Sequence, residues 1–420
     1  MGNYSKALEF FEKALKIYEK ALPPNHPDLA QLYNNISAVY QHMGNYSKAL
    51  EFSEKSLKIN EKALPPNHPL VATAYNNIGM VYQNTGNYSK ALEFFEKALK
   101  IREKALPPNH PDLAQLHNNI GLVYQNMGNY SKALEFFEKA FKIFEKALPP
   151  NHPDLARPCN NIGEVYQNMG NYFKALEFFE KALKINEKAL PPNHPDLATF
   201  YNNIGTAYLN MGNYSKALEY LEKALKINEK ALPPNHPSLA TSYNNIGMVY
   251  DNMGNYSKAL EFSEKSLKIN EKALPPNHPS LATFYNNIGT AYVNMGNYSK
   301  ALEYLDKALK IAEKALPPNH PDLAQLYNNI SGVYQNMRNY SKALEFSEKS
   351  IKICEIALPP NHPVLAIAYN NIGMVYHIMN NHSKGLFFLE KALTIAQKSL
   401  PPTHPQIKKM LDNINLVKKM

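Results

Sequence analysis

The sequence predicts an all-α fold, a right-handed α-solenoid of stacked antiparallel helix pairs, and three observations predict it. The 420 residues divide into ten units of 42 that restart at Met1, Met43, Thr85, Met127, Met169, Met211, Met253, Met295, Met337 and Met379. Thirty of the 31 prolines fall three at a time in ten copies of P-P-x-H-P, leaving only Pro158. Between these loops, apolar residues recur at steps of three and four, the period of an amphipathic helix. A period of this length marks an array of one supersecondary unit rather than a conventional domain.

One unit, Thr85 to Asn126, justifies each element in order. Gly86-Asn87 breaks the chain, because glycine readily takes the left-handed conformation that closes a helix. Tyr88, Ala91, Leu92, Phe95, Ala98, Leu99 and Ile101 then form the apolar stripe of a helix, here called B. Its other face carries Glu93, Glu96, Lys97, Lys100, Glu103 and Lys104, with Glu93–Lys97 and Glu96–Lys100 in the favourable i,i+4 order. Leu106-Pro107-Pro108-Asn109-His110-Pro111 ends helix B, since proline disfavours helix before it and lacks a donor. Pro111 suits the first turn of a second helix, A, with Asn109 or His110 as its cap and Asp112 facing the helix dipole. Helix A runs to about Asn126. Neither helix buries its stripe alone; stacked neighbours do. The expected organisation is one array of ten units (1–42, 43–84, 85–126, 127–168, 169–210, 211–252, 253–294, 295–336, 337–378 and 379–420), with the last helix, 406–420, as a C-terminal cap.

These residues resemble the tetratricopeptide repeat. Tyr75, Ile78, Gly79 and Tyr82 in helix A, followed by Gly86, Tyr88, Ala91, Phe95 and Ala98, match that family's signature over essentially the whole chain. Gly79 and Ala91 let helices approach while Tyr75, Tyr82 and Phe95 fill the gaps. The 42-residue period, with KALKIREKALPPNHPDLA and YNNIGLVY, is similar to the kinesin light chain subclass. That resemblance implies a protein-binding scaffold or adaptor whose A helices line a concave face. Kinesin light chains also carry a heptad coiled coil that binds the motor's heavy chain. No sustained a/d heptads occur here, which speaks against kinesin heavy chain as a partner.

Spacing selects the groove residues. Opposite the packing stripe of helix A lies Thr73, Asn76, Asn77, Met80 and Asn84. Its Asn pair recurs as Asn34-Asn35, Asn76-Asn77, Asn118-Asn119, Asn160-Asn161, Asn202-Asn203, Asn244-Asn245, Asn286-Asn287, Asn328-Asn329 and Asn370-Asn371, changing only to Asp412-Asn413. Asparagine is a poor mid-helix residue, so nine copies need a reason. A ladder of carboxamides offers donors and acceptors to an extended peptide; it equally offers bridges between neighbouring units, or duplication copied it. Beside it the units vary, with Met80, Leu122, Arg157, Met248 and Met374 as candidate specificity positions. The groove is mostly neutral, Arg157 being opposed by Glu164, so strongly acidic peptides are not the expected ligands. The competing readings are an arm of a larger enzyme or receptor, and a purely structural array.

Other classes are not supported. Net charge is +9 and pI about 9.0, but lysines alternate with glutamates along helix B, the pattern of a solvated face. Only Lys408-Lys409 and Lys418-Lys419 are locally basic, so neither nucleic acid nor membrane is an expected partner. No apolar run approaches the roughly 18 residues of a membrane span. MGNYSKALEFFEKA is not a signal peptide, and Met1-Gly2 with Lys6 departs from a myristoylation site. Cys159 and Cys354 stand far apart, which points to a reducing, cytoplasmic setting. Ten loop histidines, His26 through His404, have no second ligand at metal spacing. Asn-Tyr-Ser is read as turn chemistry rather than a glycosylation site. No catalytic constellation appears, so no enzyme, metal or cofactor is expected.

Irregular units stand out. Arg157-Pro158-Cys159 predicts a kink and weak stacking. The turn glycine becomes Arg338 and then Asn380, and tyrosine becomes His382. Lys409 and Lys418 give the last helix a polar outer face. The first helix B opens without a helix A before it, leaving Tyr4, Phe10 and Phe11 partly uncovered. That predicts either end-to-end association or a product that extends upstream.

Overall fold

A computed structural model describes residues 4–419, so Met1, Gly2, Asn3 and Met420 lie outside the described residues. Twenty α-helices and one 3-10 turn alternate without any strand among the described residues. The B helices are α1 (Tyr4–Ala21), α3 (Tyr46–Ala63), α5 (Tyr88–Ala105), α7 (Tyr130–Ala147), α9 (Tyr172–Ala189), α11 (Tyr214–Ala231), α13 (Tyr256–Ala273), α15 (Tyr298–Ala315), α17 (Tyr340–Ala357) and α19 (His382–Ser399). The A helices are α2 (Pro27–His42), α4 (Pro69–Asn84), α6 (Pro111–Asn126), α8 (Ala156–Asn168), α10 (Pro195–Asn210), α12 (Pro237–Asn252), α14 (Pro279–Asn294), α16 (Pro321–Asn336), α18 (Pro363–Ile378) and α20 (Pro405–Lys418). Consecutive helices pack as pairs, giving an α-solenoid. None of the described helices is long and apolar enough to cross a membrane.

The punctuation explains the boundaries. Of the two cap candidates before helix A, the structure uses the histidine: His26 Nδ1 accepts from the Asp28 N–H at 3.2 Å, and His404 does the same for Gln406 at 3.2 Å. Proline follows at the first helical position, where its missing N–H costs nothing. Helix B is capped by asparagine, as where Asn45 Oδ1 accepts from the Lys48 N–H at 3.2 Å. Gly86 closes the preceding helix with φ of 72°. Where the glycine is lost, Arg338 and Asn380 occupy the same left-handed region at φ 58° and 62°.

Helix A meets helix B through a volume match. Gly79 lies against Phe95, Gly121 against Phe137 and Gly205 against Leu221. Where the small residue is serine, the facing side chain is serine too. Ser37 and Ser53 share a hydrogen bond of 2.7 Å, and Ser331 and Ser347 another of 2.7 Å. Across the exposed edge between α3 and α4, Tyr75 donates to Glu61 at 2.6 Å. Lys97 forms the expected ion pair with Glu93 at 2.6 Å. Its ammonium also lies 5.0 Å from the centre of the Phe94 ring and 5.9 Å from that of Tyr75. These lysines therefore cover aromatic rings as well as meeting solvent.

The chain divides into two compact units, one running to Asn126 with Ser131–Pro158, the other Met127–Tyr130 with Cys159 onward. The division falls at the irregular Pro158–Cys159. There Pro153–Leu155 forms a 3-10 turn and α8 restarts at Ala156, three residues later than its counterparts. In the first unit, α1 has no buried residue, and Phe10 is 59% exposed while Tyr4 stacks on His42 at 5.5 Å. In the second unit, the turn at Gly170 meets the loop at His404, where a Cβ on the glycine would stand 2.9 Å from the imidazole. The turn at Gly128 meets His362 and Pro363 with the same sequence offset. His362 and His404 are consequently buried, and burial pushes the His404 pKa down. The last helix, α20, buries Ile407, Met410, Ile414 and Val417 and exposes Lys408, Lys409 and Lys418. Lys418 pairs with Glu390 at 3.0 Å.

Candidate functional site

The Asn pairs form a ladder along the A helices. Where a rung forms, the second Asn of one unit donates to the first Asn of the unit before, a bond that the oxygens of Asn202 and Asn328 do not accept: Asn77 donates to Asn34 at 3.3 Å and Asn119 to Asn76 at 2.8 Å in the first compact unit. In the second, Asn203 donates to Asn160 at 2.7 Å, Asn287 to Asn244 at 2.7 Å, Asn329 to Asn286 at 2.6 Å and Asn413 to Asn370 at 2.9 Å. Each rung spends one oxygen and one amide hydrogen. It leaves the NH2 of the first Asn with a hydrogen to donate and the oxygen of the second with lone pairs to accept.

Neighbouring side chains use part of this capacity. Asn76 reaches the Met80 sulfur at 3.7 Å and Asn244 the Met248 sulfur at 3.7 Å. Asn160 donates to Glu164 at 2.8 Å, and Gln325 donates to the Asn329 oxygen at 3.1 Å. Met80 and Met248 are exposed at 41% and 42%, Arg157 is exposed, and Leu122 is half-buried. Asn118, Asn161, Asn202, Asn328 and Asn370 are buried; Asn34, Asn245 and Asn371 are half-buried, and Asn35 is exposed.

In the second compact unit the ladder borders a cleft of about 450 Å³. Asn328, Asn329, Asn370, Asn371 and Asn413 supply its polar wall; Met374, Ile378 and Val293 supply apolar surface, and Lys409 adds a cation. Gly332 opens it: nothing lies within 4 Å of a Cβ there, and other units hold Met80, Leu122 or Thr290 at the equivalent position. Asn328 is 5% exposed, and neither end of its carboxamide has a partner. Of this lining, Asn328, Asn329, Asn370, Asn371 and Met374 are groove residues expected from the sequence, whereas Gly332 and Lys409 are not among those expected. The signal for Gly332 is in the sequence: of the 17 glycines, eight share one turn position and seven share one helix position, and only Gly332 and Gly385 fall outside both.

Cys159 and Cys354 are both buried and are not joined in a disulfide, and burial raises the Cys354 pKa to about 11. That is an inert thiol rather than a nucleophile. Among the described residues, no group of three or more His, Cys, Asp or Glu could hold a metal ion.

The tetratricopeptide repeat model matches in nine overlapping windows, from residues 1–62 to 322–398. No curated protein matches the chain significantly. Among solved structures, kinesin light chain-like, nearly identical TPR-like repeats from Podosopora anserina are 27% identical. They cover 49% of this chain and 97% of that one, at a TM-score of 0.42. BtubC (BKLC) from P. vanneervenii is 20% identical over 56% of this chain and 96% of its own, at a TM-score of 0.45. A Rap protein complexed with Competence and Sporulation Factor shares the fold at a TM-score of 0.58 and 16% identity, over 89% of this chain and 99% of that one.

Proposed function

We propose, from the premise that this chain belongs to the tetratricopeptide repeat family and is built of a kinesin light chain-like repeat, that its Asn-lined face binds an extended peptide segment of a partner protein. The repeat is a protein-interaction scaffold; the groove, the adaptor role and the peptide are our reading. The observation that carries it is the cleft at Gly332, where a gap of side-chain size sits beside Asn328, Asn370 and Asn371. The free donor and acceptor left by each rung match the two hydrogen-bonding groups of a peptide unit. Bridging between units and peptide capture are thus compatible uses of one ladder. In this reading the chain acts as a non-enzymatic adaptor of ten recognition units. That neither Cys159 nor Cys354 is joined in a disulfide supports a cytoplasmic setting in this reading.

Selection of a displayed random peptide library on the full chain tests it. Peptides enriched on the wild type should bind Gly332→Met and Asn371→Ala at least about tenfold more weakly while melting is unchanged, since hydrogen-bond and pocket losses of about 1.4 kcal/mol have that effect. Equal capture by both variants would sink the groove reading.

A further inference from the structure

The pair α18 and α19 departs from the repeat at three linked positions. The tyrosine that opens helix B in the nine other units is His382. The residue near the end of helix A, glutamine in five other units, is His377. The alanine common to the other B helices is Gly385, and a Cβ there would stand 2.9 Å from the Gly373 carbonyl oxygen and 3.2 Å from the His377 nitrogen. Gly385 therefore lets α19 approach the end of α18 where the two imidazoles meet. Their Nδ1 atoms are 3.0 Å apart, with ring centres at 5.0 Å and planes inclined by 53°. His377 is 9% exposed and His382 half-buried, so solvent reaches the pair from one side.

We propose that His377 and His382 form a two-imidazole chelate for a divalent transition-metal ion, with Cu²⁺ or Ni²⁺ preferred over Zn²⁺. Imidazole nitrogens bind such ions at about 2.0–2.1 Å. Two donors 3.0 Å apart then subtend roughly a right angle at the metal. That angle belongs to neighbouring positions of a square-planar or octahedral sphere, and a tetrahedral site would spread the nitrogens further. Without metal, one Nδ1–H donates to the other ring's Nδ1. With metal, both rings carry their protons on Nε2 and both Nδ1 lone pairs face the ion. A neutral ring changes only its tautomer, so binding near neutral pH releases no proton. Water completes the sphere. The loop histidines do not compete on equal terms. Where His26 and His404 accept from helix N–H groups, Nδ1 is already engaged, leaving Nε2 as a single donor.

The test uses the full chain with CuCl2, NiCl2 and ZnCl2 in turn, followed by titration calorimetry and thermal melting. His377→Gln and His382→Tyr restore residues that other units carry, so both variants are expected to fold. The expected result is one strong Cu²⁺ equivalent and a raised melting temperature in the wild type, with at least about tenfold weaker binding and no melting shift in either variant. Electron paramagnetic resonance of the Cu²⁺ complex should show two imidazole nitrogens, reduced to one in His377→Gln. Unchanged stoichiometry and melting response in both variants would overturn the proposal, as would a Zn²⁺ affinity above that for Cu²⁺. The pair would then be a hydrogen bond only.

Discussion

Gly79 is the clearest residue-scale constraint, because an added Cβ would stand 2.7 Å from the Phe95 ring. Gly79→Ser alone should cost about 1–3 kcal/mol by overpacking, and Phe95→Ser alone about 3–5 kcal/mol through the cavity it leaves. Combined, they recreate the Ser37–Ser53 arrangement, in which Ser37 also donates to the Ala49 carbonyl at 2.8 Å. The double variant should therefore lose less than the sum of its parts, with a coupling of about 1 kcal/mol or more in a denaturant-melt cycle. Additive losses would show that the match is incidental. Arg338 sits at φ 58° where most units have glycine, so Arg338→Gly should stabilise the chain by about 1 kcal/mol. Burial and the nearby Lys139 push His117 from 6.5 down to about 4. The unfolded chain takes up this proton first, so stability is complete above pH 6.5 and drains away toward pH 4. His117→Tyr should flatten that part of the pH–stability profile by about 2 kcal/mol, allowing for partial solvent contact. Such residues were only partly legible in sequence. The small position at Gly79 stood out by repetition, whereas its pairing with Phe95 is a contact between helices that spacing alone does not assign.

At the scale of the element, punctuation was the most legible feature. Proline, asparagine and glycine fixed the ends of nearly every helix because each acts on its own backbone. The cap before helix A was ambiguous between two adjacent residues, and geometry resolved it in favour of histidine, whose Nδ1 reaches the N–H two residues on. Pro158 was legible as a disturbance but not in its form. The chain absorbs it in a 3-10 turn and a delayed start of α8, moving the proline close to the helix's beginning. Pro158→Leu, as in several other units, should therefore recover only about 1 kcal/mol of the roughly 3 kcal/mol of a mid-helix proline. Hydrogen exchange of the amides from Ala156 to Ile162 should slow in that variant; unchanged exchange would place the weakness elsewhere. The Asn ladder was readable as a pattern, but its direction was not. Which Asn donates depends on the stagger of adjacent A helices, and only coordinates carry that.

Over the whole molecule, the repeat period announced the architecture, because a solenoid's contacts are local and every unit repeats them. What the period could not announce are contacts between units far apart in sequence. The meeting of Gly170 with His404, and of Gly128 with His362, is of that kind. It has a mechanical consequence. An open row of helix pairs stretches like a soft spring, bending a little at every joint. A coil whose later loops rest on its earlier turns resists the first part of a pull, then lengthens abruptly once the resting points part. The second compact unit should therefore show an early yield under tension, ahead of the unravelling of individual helix pairs, and crowding His404 with a side chain in place of Gly170 should erase it.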